Sequence, residues 1–518
     1  MHTLEILLLL LAAALALTVV ARWLEVPSAV TLVVGGMVLA FIPGAPVMHL
    51  QPELALALFL PPLLQASALR TDWGLFRSNI VFILLLAFGA VLFSAAVIAL
   101  TARHLIPGLG WPAAIALGAI IAPPDAVAAT SVLKRFKLPK RIVAVLEGES
   151  LINDASALVL YRFAVAAALA GTTSLDGMGS SFALTAVIGV IVGLLAGAAT
   201  NWAMLRLKDR YLEIVISFLA GFAAYLLAER IDGSGVLAAV ACGGLIGRAQ
   251  IKLAARTRLE ANSAWQLVEF ILASLVFLLV GLQLRGILDR LHAHSNADLL
   301  LLGSAISAAL IVSRFVWVFL TFYPAAALVA VIRGGNFSPP VSYPTIISWA
   351  GMRGVVSLAA ALALPENFEG RDIIVFLAFC AILSTLVVQG TTLKWLIAWF
   401  DPRDPAISAV NIDTIAARET VAAAIAGVGV DMAGNRPDPL AALKLDQDEI
   451  ARTGKIFDPV ALHAIMSRKL ENIQAARLEL KARRDAIDGE TLMTLTRELD
   501  LEEEQIRLAI DGTSEPPP

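Results

Sequence analysis

The sequence predicts an all-α polytopic membrane protein: about 13 transmembrane helices in inverted repeats with broken crossing helices, then a helical cytosolic C-terminal region. Three observations carry this. Of 518 residues, 58% are hydrophobic and 16% charged, with a mean hydropathy of +0.80, far from the soluble average. Most of the length divides into apolar runs of roughly 20 residues, the number that crosses about 30 Å of hydrocarbon. Two of those runs are interrupted in mid-segment by prolines or glycines, as the discontinuous helices of transporters are.

The first run, Leu4–Val20, has no basic segment before it and leads straight into further spans. It reads as a transmembrane helix rather than a cleaved signal. Windows near 28–43, 53–69 and 79–101 follow, then a fifth at 112–133 with Pro123, Pro124 and Asp125 at its middle. The sixth, 141–170, sets Glu149, Ser150, Asn153 and Asp154 in apolar surroundings. Windows at 181–205, 211–229, 235–247, 265–288 and 299–330 precede the twelfth, 344–364, which holds Gly351, Arg353 and Gly354 in mid-segment; 373–399 closes the set. The third and ninth are short, so twelve spans remain an alternative. Lysine and arginine divide sixteen to five between alternate loops. By the positive-inside rule this puts the N-terminus outside and the C-terminus in the cytoplasm, with the chain in the plasma (inner) membrane and an odd number of spans.

After Phe400 the chain turns polar. Residues 1–400 form the transmembrane domain and 401–518 a cytosolic domain with helical periodicity over Glu471–Ile510 and turn residues at Asp488-Gly489. This is either a solvated helical tail or a regulatory or dimer-contacting domain whose regulator is unknown.

Several function classes fall away. The net charge of −3 says nothing about nucleic acid, but no basic arm or aromatic-basic patch appears, and no nucleic-acid partner is expected. Cys242 and Cys380 lie in apolar segments and make no CxxC pair, and the histidines lack ligand spacing, His292 and His294 reading as loop residues. Ser150 has no histidine or lysine near it in sequence, and no Walker A glycine loop is present. Neither a membrane hydrolase nor an ATP-driven pump fits, so the chain reads as a non-enzyme without a cofactor. A channel lacks its repeated filter loop.

Ionisable side chains at membrane depth are expensive and mark ion or proton paths. On a helix Glu149, Ser150, Asn153 and Asp154 lie within about 140° of arc, with Ser150 and Asp154 one turn apart. Carboxylate, amide and hydroxyl oxygens suit a hard cation. Desolvation favours the neutral form of a carboxyl group, so such a site also suits a proton. Asp125, after its proline pair, is expected at the start of a half-helix facing Asp154. Two buried carboxylates as close as Glu149 and Asp154 repel, and a buried arginine must be paired. A bridge from Glu149 to Arg314 or Arg353 would leave Asp154 to titrate, and the sequence does not choose between them. Glu269 is evenly a buried polar anchor or a pathway residue.

EGESLINDASALV, beginning at Glu147, resembles the "GES-x-x-ND" segment of the monovalent cation:proton antiporter-1 family, which includes bacterial sodium/proton exchangers. The resemblance covers most of residues 1–400 through LPPLL at Leu60–Leu64, GAIIAPPDAVA at Gly118–Ala128, FLLVGLQL at Phe277–Leu284 and WAGMRGVVSLA at Trp349–Ala359. It implies a secondary antiporter exchanging Na+ (alternatively K+ or Li+) for H+ in pH and sodium homeostasis, a core domain moving against a scaffold and dimer domain, and a homodimer in the bilayer. It further implies that Asp154 binds the cation or proton with help from Asp125 and Ser150, and that Asn153 before Asp154 goes with electroneutral exchange. Two departures stand out. The fifth-span break reads A-P-P-D-A-V-A, so Pro124 offers a carbonyl but no hydroxyl, and Gln65, Ala66 and Ser67 stand where relatives often carry an acid.

Overall fold

The computed structural model describes residues 2–42, 52–125, 129, 133, 138–170, 178–207, 209–250, 253–291, 295–333, 340–400, 402, 467, 470–478, 480 and 489–514. Among them every regular element is helical. In lipid a spanning backbone must satisfy its own polar groups, and a helix does so within one segment.

Two compact units are present. The first comprises Met1–Thr71, Phe76–Lys252 and Ser263–Arg403. It begins with α1 (His2–Trp23), α2 (Ser28–Ala40), α3 (Pro52–Arg70), α4 (Ile80–Leu105) and α5 (Trp111–Ile121). Next come α6 (Lys140–Ala170), α7 (Met178–Leu207), α8 (Arg210–Arg230) and α9 (Gly235–Ala249). Then follow α10 (Ala255–Leu288), whose residues 255–262 fall to the second unit, α11 (Asn296–Arg333), α12 (Ser342–Trp349), α13 (Val355–Leu362) and α14 (Arg371–Phe400). Side-chain caps start two of them: Asp209 accepts from Leu212 N at 3.0 Å for α8, and Ser234 from Leu237 N at 3.3 Å for α9.

Among the described residues, seven helices are individually long and apolar enough to cross a bilayer: α4, α6, α7, α8, α10, α11 and α14. The fifth and twelfth windows differ from continuous spans for a local reason. Helix α5 stops at Ile121, just before Pro123-Pro124 remove two backbone donors. The twelfth window divides into α12 and α13 around the non-helical stretch Gly351–Gly354. In contrast α3 runs through Pro61 and Pro62.

Helices α3, α7, α8 and α9 pack against one another, with Leu60, Leu64 and Ala68 meeting Tyr225, Val236 and Val240. Helices α4, α5, α6, α11 and α14 form a second group with the broken pair α12–α13. Its interior is filled by Leu117, Ile121, Ile142, Ile346, Leu377 and their neighbours. The polar residues of the sixth span lie in this second group.

The second unit takes in Asp72–Leu75 and Leu253–Asn262 as well as Asp404–Pro518. Ile473, Ala476 and Leu480 pack on Leu495, Leu499 and Ile506 of α15 (Gly489–Ser514). Gly489, expected in a turn, instead opens that helix. Asp500 is buried and accepts from Arg477 at 2.7 Å and from Arg258, while Arg256 pairs with Glu504 at 3.2 Å. His292 and His294, residues 126–128 after Asp125, and 403–466 of the tail lie outside the described residues.

Candidate functional site

The two interrupted helices meet at their breaks. The backbone N–H of Asp125 donates to Met352 O at 2.7 Å. Arg353, 1% exposed, answers from the other side. Its Nε donates to Ile121 O at 2.7 Å, its Nη1 to Gly351 O at 2.5 Å, and its backbone N–H to Thr385 Oγ1 of α14 at 3.0 Å. Ile121 ends α5 and Gly351 follows the end of α12, so the guanidinium offsets the negative ends of two helices. Asp125 lies against Gly354, the N-cap of α13, where any Cβ would overlap its carboxylate. That is the positive end of a helix, and it favours an anion there.

Helix α6 supplies the remaining groups. Glu149, Asn153 and Asp154 are 1%, 0% and 7% exposed, and Ser150 is half-buried. Glu149 takes a two-pronged bridge from Arg314 of α11, Nη1 to Oε1 at 2.7 Å and Nη2 to Oε2 at 2.8 Å. Arg314 also reaches Ile347 O of α12 at 3.2 Å. Of the two candidate arginines, Arg314 therefore meets Glu149, while Arg353 serves backbone carbonyls. Asn153 Nδ2 donates to the Pro124 carbonyl at 2.7 Å, and its Oδ1 is buried with no hydrogen-bond partner among the described residues. Asp154 interacts electrostatically with Asp125. The polar arc of α6 is thus divided: Glu149 faces α11, and Asn153 and Asp154 face the fifth-span break.

With Glu149 cancelled by Arg314, the full charges left at the site among the described residues are Asp125, Asp154 and Arg353, a net of −1 when both aspartates are ionised. The amide oxygen of Asn153 adds a buried neutral acceptor. Two carboxylates with neutral oxygens form a donor set suited to hard cations or protons.

Other singled-out residues lie elsewhere. Glu269 pairs with Arg70 at the end of α3, both partly exposed, and so has a partner that ties α10 to α3. Gln65 is fully buried and donates to Ser217 O of α8 at 2.7 Å. Sequence reasoning missed Thr385, which fixes the Arg353 backbone, and Ser156, whose Oγ lies 2.6 Å from Ala87 O. A lone hydroxyl in an apolar span gives no signal of either. Trp317, whose Nε1 donates to Leu85 O of α4 at 3.0 Å, carried a weak one, standing three residues after Arg314 and so on nearly the same helix face.

The family described as "Sodium/hydrogen exchanger, transmembrane" matches residues 8–399. An uncharacterized Na+/H+ exchanger of Mycobacterium tuberculosis (strain H37Rv) is 31% identical over 529 residues, covering 97% of this chain and 96% of its own. A sodium, potassium, lithium and rubidium/H+ antiporter of Bacillus pumilus is 33% identical over 400 residues, 73% of this chain and 58% of its own. Among solved structures, the sodium proton antiporter of Methanocaldococcus jannaschii superposes with a TM-score of 0.59 at 19% identity, over 78% of this chain and 99% of that one. That likeness concerns the fold.

Proposed function

The chain belongs to the sodium/hydrogen exchanger family, and on that premise we propose that Asp154 is the carboxylate that carries the cation and the proton in turn. The protein is a multi-pass membrane antiporter exchanging a monovalent cation for H+. The observation that supports the assignment is the pairing of Glu149 with Arg314 at 2.7 Å, which removes the other buried carboxylate of α6 from play. Asp154 then shares its surroundings with Asp125 and the Asn153–Pro124 contact.

A site of net charge −1 is neutralised by one monovalent cation or by one proton. Holding both leaves a net positive charge in a dry interior, which is costly. Cation and proton therefore compete, and exchange is one for one and electroneutral. Asp154 and Asp125 coordinate the cation directly, with Ser150 and the Asn153 oxygen completing the shell. Pro124 orients Asn153 through its carbonyl, and Glu149, Arg314 and Arg353 compensate charge.

Na+ is the favoured cation, with K+ and Li+ as alternatives; the relative named for all of these ions favours testing each. The lysine and arginine asymmetry supports an outside N-terminus and a cytoplasmic C-terminus in the plasma membrane. A homodimer in the bilayer serving pH and sodium homeostasis completes the reading. Residues 401–518 take a regulatory role. Their support is Asp500, whose partner Arg258 lies in the first turn of α10.

The deciding experiment is cation-driven proton flux in proteoliposomes with an internal pH dye, for wild type and Asp154→Asn. Wild-type flux with Na+, Li+ or K+ that vanishes in the variant supports the assignment. Undiminished flux in a folded Asp154→Asn protein overturns it. Flux that is not coupled to protons favours a channel.

A further inference from the structure

Helix α4 is not α-helical throughout. Residues Leu85–Ala90 form a π turn. Such a turn takes in an extra residue and gives up regular ladder geometry, and it is frequent at functional sites. Two of its carbonyls meet side-chain donors from the two helices that bear the site's charges. Ser156, two residues after Asp154 on α6, has its Oγ 2.6 Å from Ala87 O. The same hydroxyl reaches Asn153 O at 2.8 Å, so its one proton is shared between its own helix and α4. Trp317, three residues after Arg314 on α11, donates from Nε1 to Leu85 O at 3.0 Å. The indole occupies the space left by Gly89, where a Cβ would overlap the ring, and Phe93 lies against it with ring centroids 5.3 Å apart.

We propose that the π turn is a strut that sets the rotation and height of Asn153 and Asp154 relative to the Glu149–Arg314 bridge, with Ser156 and Trp317 as positioning residues for exchange. The proposal rests on the reading of Asp154 as the exchanging carboxylate. A single bridge between α6 and α11 leaves the two helices free to roll about it. The second tie runs through α4 and meets α6 at Ser156, seven residues and about 10 Å beyond Glu149. Asn153 and Asp154 lie between these two points of attachment. Fixed at both ends, that stretch holds Asn153 on the Pro124 carbonyl and Asp154 beside Asp125. Releasing one end blurs the cation's coordination shell without removing any ligand.

The test uses the purified full-length protein in proteoliposomes, with proton flux measured across Na+ concentration and pH. Trp317→Phe keeps the ring and loses the donor, and Ser156→Ala loses the hydroxyl. Each is expected to raise the apparent cation KM about three- to tenfold, the effect of one lost interhelical hydrogen bond in a membrane, with maximal rate much less changed. The double variant is expected to fall short of the product of the two, because both act through one turn. Ser313→Ala is the control: it removes a 3.1 Å contact to Ser94 between the same helices α11 and α4, outside the π turn. Its KM is expected to stay within about twofold of wild type. Unchanged KM in both Trp317→Phe and Ser156→Ala overturns the strut, as does an equal rise in Ser313→Ala. These outcomes differ from failure of the underlying reading, which would show as flux surviving in Asp154→Asn.

Discussion

Replacing Arg314 by methionine keeps a long side chain in place and strands Glu149. The carboxylate is 1% exposed and loses both of its bonds, at 2.7 and 2.8 Å. Breaking a buried pair from one side costs about 3–5 kcal/mol. At ~2 °C per kcal/mol, a rate taken from large soluble domains, the melting midpoint drops by roughly 6–10 °C. Thermal melts in detergent at pH 7 read this directly. Adding Glu149→Gln removes the stranded charge and should recover most of the loss. A midpoint for Arg314→Met within about 2 °C of wild type, or a double variant no better than the single, would refute the reasoning.

Apparent cation affinity should fall with pH, by up to about tenfold per unit below the site's own pKa, because one carboxylate serves both ions; a KM constant between about pH 6 and 8.5 would separate the two sites. Proton flux should be insensitive to a potassium–valinomycin potential, and a severalfold response would show net charge movement. Asn153→Asp replaces the amide that donates to Pro124 O with an acceptor, so it should lower cation affinity and introduce voltage sensitivity through a second titrating group; electroneutral exchange with normal KM would count against the charge arrangement. Asp500→Ala frees Arg258 and Arg477 from their shared partner and should shift the pH–activity profile without abolishing exchange, whereas an unchanged profile would leave residues 401–518 a passive tail.

Much of the fold was legible because spanning a bilayer is a local demand. Run length alone marks a helix in lipid, and the windows at 141–170 and 211–229 coincide with α6 and α8 almost to the residue. The breaks were legible for the same kind of reason, since proline removes a donor and glycine leaves room within the segment itself. Less legible were the ends of helices in water. Helix α10 begins at Ala255, ten residues ahead of its apolar window, because polar residues extend a helix without lengthening the hydrophobic run.

The sequence by itself determined which polar groups enter the membrane and which face of α6 bears them, as these follow from composition and from 3.6-residue periodicity. It could not say which group meets which. Arg314 and Arg353 stand in equally apolar surroundings, and only the rotation of α11 and the course of the α12–α13 break bring the first to Glu149 and the second to Ile121 O. Likewise the α6 arc reads as one face, yet packing gives Glu149 to α11 and Asn153 to the fifth-span break. The π turn at Leu85–Ala90 had no local mark at all. Its carbonyls gain partners only when Ser156 and Trp317 arrive from helices far away in sequence, and contacts of that kind are decided by how whole helices pack rather than by any stretch of chain.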